Sequence, residues 1–122
     1  MGDEKLKQSF TLLESALEDL STESDNPLKY AASSKAFEVC FEYCWKAMKR
    51  EASKSGLEVY SPRDSIKAME KLGRIDKAES WLEFLNLRNL SVHDYIGANK
   101  KTATEGFARF LAEAKEFYKD YC

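Results

Sequence analysis

Histidine, cysteine, proline and glycine are all scarce in this 122-residue sequence, which contains one, three, two and five of them respectively. An odd number of cysteines without regular spacing argues against a disulfide framework, so we expect free thiols in a reducing compartment. One histidine cannot easily complete a metal site with these cysteines, and we expect neither a metal nor a cofactor. The shortage of helix breakers, with 33% of the residues charged, is typical of amphipathic helices.

Long apolar runs are also missing, and so is a strong excess of charge of either sign. No segment is long and apolar enough to span a membrane, and the first residues lack the apolar core of a secretory signal, so we expect a cytoplasmic protein. Lysine and arginine total 19 against 21 acidic residues, a formal charge of −2. This balance argues against a general nucleic-acid coat protein, although it leaves room for a small local cationic site.

Apolar side chains that recur every three or four residues predict an all-α fold in a single domain, residues 1–122. We expect an up-and-down bundle of four main helices and one short helix. The predicted helices cover about 3–20, 27–54 and 62–72, a fourth after Asp76, and a fifth from Thr102 to the C-terminus.

The ends of the second and third helices can be predicted from capping residues. Asn26 is followed by Pro27 and Ser61 by Pro62, and each pair is an N-cap with proline at the first helical position. The glycines expected to end these two helices are Gly56 and Gly73.

Similar patterns suggest where the fourth and fifth helices begin. Asp76, with Glu79 three residues later, is expected to cap the fourth helix. Thr102 with Glu105 forms a capping-box pattern for the fifth.

The second helix has an unusually wide apolar face, which predicts contact with more than one neighbour and is compatible with a second subunit. Its apolar residues are Tyr30, Phe37, Cys40, Phe41, Cys44, Trp45 and Met48. The charged residues assigned mostly to its other side are Lys35, Glu38, Glu42, Lys46, Lys49 and Arg50. The face expected to be buried on the fourth helix comprises Ala78, Trp81, Leu82, Leu85 and Val92.

The segment Arg88-Asn89-Leu90-Ser91-Val92-His93-Asp94-Tyr95 contains the one histidine of the sequence. Histidine transfers protons near neutral pH, and the planar guanidinium of arginine binds two phosphate oxygens while it stays charged. A tyrosine hydroxyl can be covalently modified. We therefore treat Arg88 and His93 as candidate catalytic residues and Tyr95 as a candidate modification site.

The spacing of this segment does not require a catalytic site. On a straight helix, Arg88 and His93 would point roughly 140° apart, because each residue turns the helix by about 100°. They would converge only where the helix ends or bends, or across a two-fold axis between two chains. Alternatively, His93 is an ordinary hydrogen-bonding residue near a helix end, and Arg88 forms an ion pair with Glu83 or Asp94.

The segment nevertheless resembles the Arg-x4-6-His motif of the HEPN domains, and in particular the Arg-x4-His-x-Tyr form of prokaryotic HEPN toxins. Upstream, Ser61-Pro62-Arg63-Asp64-Ser65-Ile66, then Gly73, then Trp81-Leu82-Glu83 are similar to the nucleotidyltransferase substrate-binding subfamily. The resemblance covers nearly the whole chain. It departs from the family after Tyr95, where many relatives have acidic residues and this chain has Ile96-Gly97-Ala98-Asn99-Lys100-Lys101.

The resemblance implies a homodimer in which Arg88 and His93 of both subunits share a cleft for RNA or a nucleotide. It also implies a partner, a minimal nucleotidyltransferase encoded by a neighbouring gene, which in some pairs is the antitoxin and adenylylates the motif tyrosine, here Tyr95. Added negative charge and bulk beside Arg88 would exclude RNA from the cleft.

Two functional hypotheses follow from these observations, and a third alternative is a structural helical dimer with a vestigial motif. The first is a metal-independent endoribonuclease toxin in which His93 handles protons, Arg88 stabilises the phosphate and Asn89 orients it. Lys100 and Lys101 would help to attract RNA, although a solvated loop also explains them. The alternative is a non-catalytic subunit that holds a nucleotide or other substrate for the transferase in the same cleft.

Overall fold

The computed structural model describes residues 3–92 and 99–121, which form five α-helices and contain no strand. This confirms the all-α fold expected from the apolar periodicity. In chain order the helices are α1 (Glu4–Thr22), α2 (Pro27–Lys54), α3 (Pro62–Lys71), α4 (Ala78–Ser91) and α5 (Lys100–Tyr121). None of the described helices is long and apolar enough to cross a membrane.

Local capping chemistry places both ends of α2 and α3 where the sequence predicts them. The Asn26 side chain accepts hydrogen bonds from the first backbone N–H groups of α2, and Ser61 accepts one from the Asp64 N–H. Gly56 and Gly73 adopt positive φ angles of 83° and 73° just beyond α2 and α3. The residue after each glycine donates to a carbonyl five residues back, which is the Schellman arrangement.

The predicted caps of α4 and α5 are wrong. Lys77 occupies the N-cap position of α4, and the first helical N–H, that of Ala78, donates instead to the Glu70 carboxylate of α3 at 2.9 Å. A contact with α3 thus satisfies the first N–H group of α4, whose N-terminus Asp76 was expected to cap. α5 begins at Lys100, before the capping-box pattern, so Thr102 lies inside the helix.

Four helices form a ring in the order α1, α2, α4 and α5, and α3 packs outside it against α2 and α4. At one end of the bundle, Asp3 before α1 contacts Arg50 near the end of α2 and accepts a hydrogen bond from Tyr121 at the end of α5. α1 and α4 therefore run antiparallel to α2 and α5. We call the opposite end, where α1 and α4 finish and α2 and α5 begin, the site end.

Aromatic rings from α2, α4 and α5 fill the centre of the bundle. The Phe37 ring lies 4.7 Å from that of Phe107 and 5.1 Å from that of Phe110, measured between ring centroids. Trp81 of α4 contacts Phe110 edge to face at 5.7 Å. Burying each of these rings contributes roughly 1.5–3 kcal/mol, so this cluster holds the backbones of α2 and α4 at a fixed separation.

The predicted core of α2 is confirmed, except that Trp45 is only partly buried. The predicted face of α4 is less accurate. Phe84 is buried although it was not expected to be, because α4 packs against α2, α3 and α5 and so needs a broad apolar face. Val92, expected to be buried, is 38% exposed, because it follows the last turn of α4 at the site end.

Candidate functional site

Arg88 lies in the last turn of α4, and its guanidinium reaches across to α2. One nitrogen donates to a Glu42 carboxylate oxygen at 3.1 Å, and another donates to the Asn89 side-chain oxygen at 2.9 Å. Both members of the Arg88–Glu42 pair are about one-third exposed, so water and dissolved anions can reach them. Glu83, suggested above as a partner of Arg88, instead pairs with Arg109; Asp94 lies outside the described residues.

A second contact joins the same two helices one turn closer to the site end. The Ser91 hydroxyl lies 3.0 Å from the Arg88 carbonyl and 3.4 Å from a Glu38 carboxylate oxygen. A hydroxyl has a single hydrogen, so the shorter bond to the carbonyl is favoured. No lysine or arginine among the described residues pairs with Glu38, whereas Glu42 also contacts Lys46 at 3.5 Å. Among the described residues, Ser91 is therefore the one side chain that contacts the Glu38 carboxylate.

Glu38 and Ser91 line a cleft of about 340 Å³ between the first half of α2 and the end of α4. Its described lining is Tyr30, Ala31, Ser34, Lys35, Glu38, Ser91 and Val92. Ser34 is only 7% exposed, and its hydroxyl makes no hydrogen bond to another described residue. The volume is at the lower end of the range for small-molecule sites, which combine a few polar groups with apolar walls. We call this space the α2–α4 cleft.

Lys100 and Lys101 line a different groove, between the end of α1 and the start of α5. That groove has a volume of about 550 Å³ and is mostly apolar, with Leu17 and Leu20 among its lining residues. No described residue lines both this groove and the α2–α4 cleft. The structure therefore brings Arg88 and Asn89 together at the end of α4 but does not place the two lysines in the α2–α4 cleft.

His93 and Tyr95 lie outside the described residues. The expected meeting of the His93 imidazole with the Arg88 guanidinium, within one chain or across two, stays a prediction. The same holds for the modification of Tyr95.

The sequence did not identify the α2 side of the cleft. Lys35, Glu38 and Glu42 were assigned to the solvent-facing side of α2, yet they border α4 and the two glutamates are half-buried. Their spacing was the available signal, since residues three and four apart share one helix face. That spacing alone does not tell which neighbour the face meets.

The cysteine pair of α2 is part of the core, as predicted. Cys40 and Cys44 are fully buried free thiols, and burial raises the pKa of the Cys44 thiol well above its usual value, with a further contribution from Cys40. Among residues 3–92 and 99–121, no group of three or more possible ligands could hold a metal ion.

Comparisons with known proteins give consistent results. The sequence matches the family model described as nucleotidyltransferase substrate binding protein like over residues 4–121. The fold is similar to a solved structure from Haemophilus influenzae, described as a substrate-binding domain of a nucleotidyltransferase, with a TM-score of 0.83 over 95% of this chain and 96% of the other. The two sequences are 19% identical, so this likeness concerns the fold. No curated protein matches the sequence.

Proposed function

Because this chain belongs to the nucleotidyltransferase substrate binding protein like family, we propose that it is the substrate-binding subunit of a nucleotidyltransferase and that the α2–α4 cleft holds the substrate. The observation that carries the proposal is the Arg88 guanidinium, which pairs with Glu42 one helix turn from Glu38 of the cleft lining. The transferase, a minimal enzyme encoded by a neighbouring gene, supplies the chemistry. Two copies of this chain form the binding unit, as the resemblance to HEPN proteins implies.

Arg88 is the group that binds the phosphate of a nucleotide or of a nucleic-acid end. Its fork of N–H donors suits two phosphate oxygens, and Asn89 keeps the guanidinium oriented through the 2.9 Å hydrogen bond. In the absence of substrate, the Glu42 carboxylate occupies one side of this fork. An incoming phosphate competes with Glu42, which retains Lys46 as a second cationic partner.

Nucleotide binding to the purified protein tests this proposal. We expect isothermal titration calorimetry to detect ATP binding that weakens about tenfold or more in Arg88→Ala, because a hydrogen bond to a charged group is lost. Arg109→Ala is the matched control, since Arg109 of α5 also pairs with a glutamate of a neighbouring helix, Glu83 of α4, but does not line the cleft. Equal affinities for wild type and Arg88→Ala, or no binding at all, would contradict the proposal.

The metal-independent endoribonuclease is the second candidate. The observation in its favour is that Arg88 lies in the last turn of α4, only five residues before His93. Incubation of the protein with RNA in EDTA separates the two functions. A binding subunit leaves the RNA intact, whereas cleavage that disappears in His93→Ala would establish the nuclease.

A further inference from the structure

We infer that Glu38 recognises the 2′,3′-diol of a ribose, so that the α2–α4 cleft selects ribonucleotides over deoxyribonucleotides. This inference rests on the proposed function and names its substrate class. An ionised carboxylate only accepts hydrogen bonds, and two neighbouring sugar hydroxyls can donate to its two oxygens. Carboxylates bind ribose hydroxyls in this way in dinucleotide-binding folds.

Among the described residues, the Glu38 carboxylate has few hydrogen-bond donors around it. It lines the cleft and is half-buried, and no cation among the described residues pairs with it. Its contact with Ser91 is 3.4 Å, and the Ser91 hydrogen is better placed for the Arg88 carbonyl at 3.0 Å. Leaving a half-buried carboxylate so poorly satisfied is unfavourable unless a ligand or water donates to it.

A second polar group, the hydroxyl of Ser34, belongs to the same cleft. Ser34 lines the cleft and is only 7% exposed. It lies one turn before Glu38 on α2, so the two side chains share a face. The hydroxyl of Ser34 can both donate and accept, and it therefore complements a sugar hydroxyl.

The spacing along the helices fits a nucleotide with its phosphate toward Arg88. Glu38 and Glu42 are four residues apart on α2, about 6 Å along the axis. Glu42 marks the position of the Arg88 guanidinium, and Glu38 faces the cleft nearer the site end. In a nucleotide the 5′-phosphate and the 2′,3′-diol lie on different sides of the sugar. The phosphate of one nucleotide can therefore reach Arg88 while its diol reaches Glu38.

Calorimetric titration with ATP, 2′-deoxy-ATP and 3′-deoxy-ATP tests the inference. We expect wild type to bind ATP about tenfold more tightly than either deoxy analogue, and Glu38→Gln to reduce this preference to less than about threefold. Glu18→Gln, which removes the same charge from an exposed position of α1, should keep the full preference. Circular dichroism establishes that each variant is folded.

The outcomes separate the inference from the proposed function. If wild type binds ATP and both analogues equally while Arg88→Ala weakens all three, the role of Glu38 is wrong and the proposed function stands. If Glu38→Gln keeps the full preference for ATP, the inference is also overturned, because another group must then recognise the sugar hydroxyls. If wild type binds none of the three nucleotides, both the proposed function and the inference fail.

Discussion

The Arg88 guanidinium is bound by a carboxylate of its own chain before any substrate arrives. A partly exposed ion pair of this kind contributes little to stability, with typical values of about 0–1 kcal/mol. Its effect on binding is larger, because an anion has to displace Glu42 before it can use the whole guanidinium. If Arg88 binds the phosphate as we propose, Glu42 therefore tunes the affinity of the site without contacting the substrate.

We expect Glu42→Gln to increase the affinity for ATP about threefold to tenfold at low salt, because the amide competes less well for the guanidinium. Glu83→Gln is the matched control: it loosens the Arg109 pair in the same way and should leave the affinity unchanged. Calorimetry at two salt concentrations measures the ATP affinities of both variants. An unchanged or lower affinity for ATP in Glu42→Gln would mean that Arg88 is not the group that binds the phosphate.

The buried Cys44 thiol should make stability depend on pH in the alkaline range. Its pKa in the folded protein is raised by burial above the unfolded value, so its contribution is complete below the unfolded pKa and is lost as pH rises toward the folded pKa. Above roughly pH 8.5, the free energy of unfolding should fall by up to about 1.4 kcal/mol per pH unit more in wild type than in Cys44→Ala. Urea unfolding across this range measures the slopes, and parallel slopes would contradict the prediction.

At the scale of the elements, the ends of the helices differ in what determines them. α2 and α3 end at glycines in the left-handed region, a purely local device. α4 begins where a carboxylate from α3 reaches its first N–H, so its start depends on the packing of two helices. Local patterns therefore located the ends of α2 and α3 better than the starts of α4 and α5.

Gly73→Ala should lower the free energy of unfolding by about 1–2 kcal/mol, since an L-residue with a Cβ adopts positive φ only at that cost. No atom lies within 4 Å of the added Cβ, so the loss comes from the backbone alone. Gly73→Asn is the control and should lose less, because asparagine tolerates this conformation. Chemical unfolding compares the three proteins; an alanine variant as stable as wild type would show that the turn has changed conformation.

At the scale of the whole molecule, the cleft exists because the core determines how closely α2 and α4 approach. The aromatic cluster around Phe37 and Phe110 keeps the helices apart, and the Arg88–Glu42 and Ser91–Glu38 contacts join their polar edges.

Co-expression with the transferase encoded by a neighbouring gene should add AMP to Tyr95, as the resemblance to HEPN pairs implies. Mass spectrometry of the intact protein and its peptides detects the added group. It should disappear in Tyr95→Phe and persist in Tyr60→Phe, a matched variant at a tyrosine that is 74% exposed elsewhere. If wild type stays unmodified although the transferase is active, the predicted modification of Tyr95 is wrong. The proposal that this protein binds substrate for the transferase would then still stand.

The sequence by itself determined the five helices and most of the core, because apolar periodicity and glycine stops act within a few residues of chain. Its motifs also indicated the nucleotidyltransferase substrate-binding family, to which the chain belongs. The sequence also singled out Arg88 and Asn89. Only the tertiary structure decided that Glu42 holds Arg88, that Glu38 faces a cleft, and that Lys100 and Lys101 line another groove. The reason is physical: a helix face is set by local spacing, whereas the helix that it meets is set by how all the apolar faces are buried together.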